Sequence, residues 1–378
     1  MINSPPRNVG TVKIAADLPL SGDDAPDGLP VKDAITMAIK QAATVCGDSH
    51  RDACVTLQLA AYDDVSKGIH DPSKGAKNVE LMASDQHIVG MVGPLYESLA
   101  RSELPIANDA RLAIISPATI DECLTKEPAD GHCHGLAAAL RPSGGNTFFR
   151  VVTTRLAEGP AAADFAFKTL HKRHAFLVED QSPAGHALTV AFAARFRADG
   201  GSLAGSAESA DLVYAPGSDV ASIAAMRRQA ASAGANPPLL GSDALTNDQY
   251  ARAAGALARG TYYTVVGVDP ATLKGAASFK ARYRKTFGAD PGRLGVQAFD
   301  ATNVLVQAIA RAIDDAGGNR PDRRQVLTEV ARTTAYSGMM GTMGFDSAGD
   351  TTLKLISVYQ WPATTAATGD FVTQIHVQ

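Results

Sequence analysis

Three carboxylates, Asp23, Asp24 and Asp27, crowd the loop within "KIAADLPLSGDDAPDGLPVKDAITMAIKQA", residues 13–42, where a strand-like run gives way to a helical one. A loop built to cradle phosphate would offer bare backbone N–H groups and often a lysine at the helix start. This loop carries the wrong charge for that work. The cysteines are the next group able to do chemistry. Cys46 and Cys54 bracket "GDSHRDA", and Cys123 and Cys133 bracket "LTKEPADGH", so each pair can close a short polar loop. Two local disulfides, with the oxidising compartment they imply, are the economical reading. Free thiols remain open, as does a metal at His132, Cys133 and His134, although zinc sites usually show wider ligand spacing and four convergent ligands. No H-E-x-x-H pair, no serine in G-x-S-x-G and no cysteine in a nucleophile signature is present. "GMMGTMG" (338–344) precedes a strand-like "TLKLISVYQW" instead of opening a helix, and so reads as a turn. Phe148, Phe149 and Trp361 read as core packing. No catalytic residue, metal or cofactor is assigned, and the chain reads as a protein that is not an enzyme.

The elements that must position these groups follow from the hydrophobic pattern. "VKIAADLPL" precedes an amphipathic run from Val31 to Ala42, "VTLQLAAYDD" precedes Ser73 to Ser84, and "IVGMVGPL" precedes Ala100 to Asn108, with "LAIISPA" following. Short apolar strands separated by helices predict parallel sheet covered on both faces, with any ligand beyond the carboxyl ends of the strands. After "FFRVVTT" the alternation restarts with "AFLVED", a helix to Arg197, "ADLVYAP", a helix to Ala233, "PPLLGSD" and "GTYYTVVGV". Two βα arrays predict two lobes, in line with the 378 residues at roughly 150 per domain. The 35 basic and 39 acidic residues, net −4, form no long run of either sign, which points away from a nucleic-acid surface or a polybasic membrane patch. No stretch reaches the ~20 apolar residues a bilayer requires. The start, "MINSPPRNVG", lacks the regions of a signal peptide, leaving a cytosolic chain or a mature form with an added Met; the cysteines favour the second.

The same runs, taken in order, resemble the type I periplasmic solute-binding proteins of the leucine/isoleucine/valine-binding branch, which serve branched-chain amino acid ABC transporters. The resemblance rests on "VKIAADLPLSG", "YDD" at Tyr62 to Asp64, "VGMVGPLYES" at 89–98, "ISPATIDECLT" at 115–125, "FFRVVTT" at 148–154, "LLGSDAL" at 239–245 and "GTYYT" at 260–264. Its most specific piece is "YSGMMGTMGFDSAGDTTLKLISVYQW" from Tyr336 to Trp361, which carries the family's closing Gly-x-x-x-Phe-Asp-x-x-Gly-Asp pattern. It implies an α/β fold of two Rossmann-like lobes with parallel central sheets joined by a three-crossing hinge. Lobe 1 would be residues 10–150 plus 269–338 and lobe 2 residues 151–268 plus 339–378, with crossings near 148–152, 264–270 and 339–345.

The function implied is an extracytoplasmic receptor, likewise monomeric, that closes on a small polar ligand and delivers it to the permease subunits of an ABC importer. It would be periplasmic or extracellular, with a lipid anchor through a further segment an open option; a ligand-sensing receptor ectodomain of the same fold is the alternative. Carried over residue by residue, the substrate-binding positions are Asp27, Tyr96, Glu97, Ser98, Ala118, Thr119, Ile120, Ala184, Ser218, Asp219, Asp243 and Leu294. Glu97 stands where the family places a serine hydroxyl and Ile120 where it places a threonine, with Ala118 and Thr119 supplying main-chain contacts. Asp243 falls where an acid pairs with a ligand ammonium, while Asp27 and Ala184 occupy positions that are often aromatic. Each acid also has a plainer reading: Glu97 as a solvated or helix-capping acid, Asp243 as an N-cap for a helix near Thr246, and Ser218 with Asp219 as a surface turn. Glu97 weakens the simple amino-acid reading, so an amine or a neutral polyhydroxylated compound is slightly preferred over a simple aliphatic amino acid, with amino acids kept among the ligands. Between "GGSLAGS" and "ADLVYAPGSD" a family helix and strand are missing, which leaves residues 205–225 undefined.

Overall fold

The computed structural model describes residues 6–128, 131–178, 182–232, 234, 236–246, 248–362 and 369–377. The chain opens with β1 (Arg7–Leu18), α1 (Ala25–Ala42), β2 (Thr44–Cys46), β3 (Ala53–Asp63) and a small hairpin of β4 (Val65–Ser66) and β5 (Ile69–His70). It continues through α2 (Pro72–Ser84), β6 (Ile88–Val92), α3 (Glu97–Asp109), β7 (Ala113–Ser116), the single turn α4 (Leu136–Ala139) and β8 (Phe148–Arg150). A second array holds α5 (Glu158–Asp164), β9 (His174–Leu177), α6 (Pro183–Ala198), β10 (Ser202–Leu203), β11 (Leu212–Ala215), α7 (Val220–Ser232), β12 (Leu239–Gly241), α8 (Asp248–Ala254) and β13 (Thr261–Val266). Three helices follow, α9 (Ala276–Phe287), α10 (Gly295–Asp315) and α11 (Arg323–Ala331), then the hairpin β14 (Tyr336–Ser337) and β15 (Thr342–Met343), and last β16 (Leu355–Gln360) and β17 (Asp370–His376). Residues Glu179 and Asp180 of the predicted "AFLVED" strand, and Ala233 at the predicted end of a helix, lie outside the described residues.

These elements form two compact units, Met1–Val152 with Pro270–Leu353, and Thr153–Asp269 with Lys354–Gln378. The first unit holds a six-stranded sheet in the order β2-β3-β1-β6-β7-β8, parallel except where β2 runs against β3. The second holds a seven-stranded sheet, β10-β9-β11-β12-β13-β16-β17, parallel up to β13 and antiparallel thereafter. In the first sheet every residue of β6 and β7 is buried, as expected of parallel strands covered on both faces. Helix α1 buries Val31, Ala34, Ile35 and Ala38, one face at helical spacing. Helix α2 starts where Asp71 accepts the Ser73 N–H at 2.8 Å and Pro72 fills a first-turn place that needs no donor. Among the described residues no helix is long and apolar enough to cross a membrane.

The third passage of the chain between units lies at Leu353–Lys354, so residues 339–353 belong to the first unit, which corrects the expected crossing near 339–345. The reason is a set of ties to β8 and α10. Asp300 accepts the N–H groups of Met339 and Met340 at 3.0 and 2.9 Å. Arg150 donates its N–H to the Gly349 carbonyl at 3.0 Å and its Nε to Asp350 at 2.7 Å. Gly349 sits at φ +94°, and a Cβ there would fall 2.0 Å from the Phe148 carbonyl oxygen, so glycine alone permits this approach. The expected gap in the second unit is also present: residues 204–211 hold only a 3-10 turn at Ala207–Ser209 between β10 and β11. Both disulfides are formed, Cys46–Cys54 and Cys123–Cys133. The Cys133 sulfur, beside His132, is thereby held in a sulfur–sulfur bond and is not free to ligate a metal as a thiolate.

Candidate functional site

Apart from Leu294, the candidate residues of each unit follow the carboxyl ends of parallel strands, where ligands of open α/β sheets bind. In the first unit the loop after β1 brings Asp23, exposed, and Asp24, whose carboxylate accepts the His70 N–H at 2.9 Å and meets the ring Nδ1 at 2.7 Å. Those His70 bonds hold the Asp24 carboxyl below the usual aspartate range. The His70 ring stacks on Tyr96, centroids 3.8 Å apart, and the Tyr96 hydroxyl donates to the exposed Asp27 at 3.1 Å. Burial, then the Asp27 charge, push the Tyr96 phenol up. His70 was not singled out in the sequence, because nothing local in "SKGIHDP" announces a ring stacked 26 residues downstream.

Glu97 is the first residue of α3, and Ser98 beside it is exposed. Its carboxylate neither caps its own helix nor points idly to water: Oε1 accepts the backbone N–H of Ile120 at 3.2 Å. The 117–125 loop is thus tied to α3 by an acid. Beneath it the Ser116 hydroxyl donates to the Pro94 carbonyl at 2.9 Å, while its oxygen accepts the N–H groups of Ala118 and Thr119 at 3.2 and 3.0 Å and the Thr119 hydroxyl at 2.9 Å. The Thr119 carbonyl accepts from Arg150 at 3.2 Å. Thr119 is fully buried, and its N–H, hydroxyl and carbonyl are all engaged within the protein. The Ala118 N–H is likewise taken, while Ala118 and Ile120 keep partial exposure. Arg150, fully buried, also holds the Asp121 carbonyl at 2.8 Å and the Thr125 hydroxyl, so it anchors the whole loop to Asp350. Its signal in the sequence was a lone cation inside the apolar run "FFRVV". Leu294, carried over as a contact, is 7% exposed at the start of α10 and is part of the core.

The second unit places Ala184 in the first turn of α6, half-buried, with Ser182 capping the helix through the Gly185 N–H at 3.1 Å. Ser218 and Asp219 lie on the exposed turn before α7. Both Asp219 oxygens are used there, one accepting the Ser222 N–H at 3.0 Å and the other its hydroxyl at 2.6 Å, which lowers the Asp219 pKa. Asp243, half-buried, opens the 3-10 turn Asp243–Thr246; the preceding Ser242 hydroxyl accepts the Ala244 N–H at 3.3 Å and donates to the Pro216 carbonyl at 2.8 Å. Beside Asp243 the fully buried Glu158 accepts the Thr264 hydroxyl at 2.7 Å, and burial together with the Asp243 charge drives its carboxyl well above the usual range. Sequence pattern could not mark Glu158, since its burial comes from strands more than 80 residues away in "GSD" and "TYYT".

Comparison with known proteins agrees with this architecture. Residues 11–223 and 203–367 match the family described as periplasmic binding protein. The chain is 24% identical over 373 residues to the Leu/Ile/Val-binding protein BraC3 of Rhizobium johnstonii, covering 93% of this chain and 92% of that one. It is similar in structure to a leucine-binding protein LivK of Thermotoga maritima, with TM-score 0.66 and 22% identity over 97% of this chain and 99% of that one. A solute-binding protein of an ABC transporter from Rhodopseudomonas palustris, solved with 3,4-dihydroxybenzoic acid, matches with TM-score 0.63 and 18% identity over 97% of each chain. At these identities the structural likenesses establish the fold.

Proposed function

Because the chain belongs to the periplasmic binding protein family, we propose that it is the solute receptor of an ABC importer, acting outside the cytoplasm as a monomer and catalysing no reaction. The observation that carries the choice of ligand is the Glu97 carboxylate on the Ile120 N–H. Proteins similar to this one are named for leucine, isoleucine and valine, or were solved with a dihydroxybenzoate, and all of those molecules bear a carboxylate. Here the protein supplies a carboxylate of its own at that amide. A second one brought within about 4 Å would be repelled by about 4 kcal/mol at an effective dielectric of about 20. The ligand is therefore a small amine or a neutral polyhydroxylated compound, with Asp243 its partner in the second unit. Asp27 and Tyr96 add an acid and a phenol that favour the same chemistry. Delivery to permease subunits follows from the receptor role.

The test is a thermal-shift screen over amines, polyols, amino acids and aromatic acids, since a ligand at 100 times its Kd stabilises by about 2.7 kcal/mol. An amine or polyol is expected to raise Tm, and Asp243→Ala to weaken that ligand roughly tenfold to a hundredfold through loss of a charge-assisted hydrogen bond. A shift confined to amino acids and aromatic acids would overturn the ligand class while leaving the receptor role intact.

A further inference from the structure

At the amino ends of its strands, the end away from the candidate loops, the first unit has a pocket of about 260 Å³. Gln86, which precedes β6, and Arg111, which precedes β7, line it together with Arg320, Asp322, Arg323 and Arg324 at the start of α11. Four guanidinia converge there, and among the described residues none of them is ion-paired. Asp322, the one carboxylate, is occupied as the N-cap of α11, accepting the Gln325 N–H at 2.9 Å. Arg323 donates to the carbonyls of Met82, Ala83 and Ile88 at 2.7, 2.8 and 2.7 Å and to that of Asp85, and Arg320 donates to the Gln86 carbonyl at 3.2 Å. Carbonyl oxygens fix these two side chains without cancelling their charge. Among the described residues the Arg111 and Arg324 side chains make no hydrogen bond or ion pair, and Arg324 is exposed.

The backbone adds two features of the same sign. The pocket includes the N-terminus of α11, whose first-turn N–H groups, one of them capped by Asp322, carry partial positive charge. Arg111 sits at φ +54° directly after α3, a place where glycine or asparagine would be less strained and where this chain keeps a cation. A protein with net charge −4 has thus gathered four cations against one lining carboxylate in one concavity. Guanidinium forks bind an oxyanion through several charge-assisted hydrogen bonds at once, and a tetrahedral dianion offers acceptors in enough directions to meet more than one fork.

We propose that this pocket is a binding site for a phosphate-class oxyanion, taken either as the free ion or as the headgroup of an anionic lipid. The site is independent of the solute receptor reading, because its residues lie at the opposite strand ends. Calorimetric titration of the intact protein with inorganic phosphate, at constant ionic strength against chloride, measures the first source. Sedimentation with phosphatidylglycerol vesicles, against phosphatidylcholine vesicles, measures the second. Binding to at least one source is expected, weakened about tenfold by Arg324→Gln and abolished by Arg324→Gln with Arg111→Gly. Arg324 is exposed and Arg111→Gly suits the left-handed backbone, so both variants should keep the wild-type Tm in the absence of anion. Phosphate binding marks the free ion as ligand, and binding to the phosphatidylglycerol vesicles alone marks the headgroup. Binding to neither source, or undiminished binding by the double variant, overturns the proposal.

Discussion

Replacing Glu97 is the most direct test of the proposed ligand class, because that proposal rests on its carboxylate occupying the Ile120 N–H. Glu97→Ser frees the Ile120 N–H and restores a hydroxyl at the start of α3. Gain of binding for a leucine-type amino acid, read by calorimetry, is the expected result; if the variant still ignores every free carboxylate, Glu97 is a loop tie and nothing more. A second residue-scale consequence concerns three acids buried below the same loops. Asp17 accepts from Asn78 at 2.7 Å through one oxygen, and Glu103 faces its other oxygen across Gly75. Burial, chiefly, pushes Asp17 up to about 8 and Asp64 to about 7, and burial with the Asp17 charge raises Glu103 strongly. Acids whose folded pKa exceeds the unfolded one hold protons that the unfolded chain releases, so they cost stability as pH rises. The cost grows at about 1.4 kcal/mol per group per pH unit, from near pH 4 up to near pH 7 for Asp64 and near pH 8 for Asp17. Asp17→Asn removes one such group, so its Tm should exceed wild type at pH 8 and converge with it at pH 5. A Tm difference that is flat over that range, or that widens toward acid, would show the acid is not held protonated. Asp27, Glu97 and Asp243 were legible as residue types at strand ends. Asp17, Glu103 and Glu158 were not, because whether a carboxyl is buried depends on which helix covers it.

At the scale of elements, the alternation of apolar runs and helical patterns predicted the βα order because burial on both faces leaves a continuous apolar signature in strands such as β6 and β7. Helix starts were less legible: α1 begins at Ala25 and not Val31, with Pro26 in the first turn, where no N–H donor is needed, and Pro30 tolerated inside the helix. The two disulfides follow from cysteine spacing around short polar loops, here the antiparallel pairing of β2 with β3 and the loop after β7. The place of residues 339–353 was hidden for a different reason. It is fixed by a tie of 200 residues' separation, Arg150 to Asp350, that no local pattern reports. The "FDSAGD" segment is accordingly a clasp on β8, and Gly349 is its narrowest point. Gly349→Ala should destabilise the protein by more than the about 1–3 kcal/mol of a strained positive φ, because the added carbon also strikes the Phe148 carbonyl. Chemical denaturation measures it; a loss below about 1 kcal/mol would mean the clasp yields locally.

At the scale of the whole molecule, the chain passes between its two units three times, after Val152, after Asp269 and after Leu353. Each unit contains chain from both sides of such a passage, so neither is a simple appendage that could be cut away at one linker. Candidate residues occur in both, Glu97 with Ile120 in the first and Asp243 in the second. A solute whose affinity falls on substitution in either unit is held by both, and its preference for a closed arrangement then drives the equilibrium by its differential affinity alone. Small-angle scattering at saturating ligand should show a smaller radius of gyration than the ligand-free protein. The Asp243→Ala variant, at a ligand concentration that saturates wild type but not the variant, should retain the ligand-free curve. Raising the concentration until the variant is also saturated separates two cases: recovery of the smaller radius means Asp243 contributes affinity only, whereas a radius that stays large at saturation means Asp243 is what couples occupancy to closure. A tight ligand that leaves the wild-type scattering unchanged would exclude closure as the receptor's working motion.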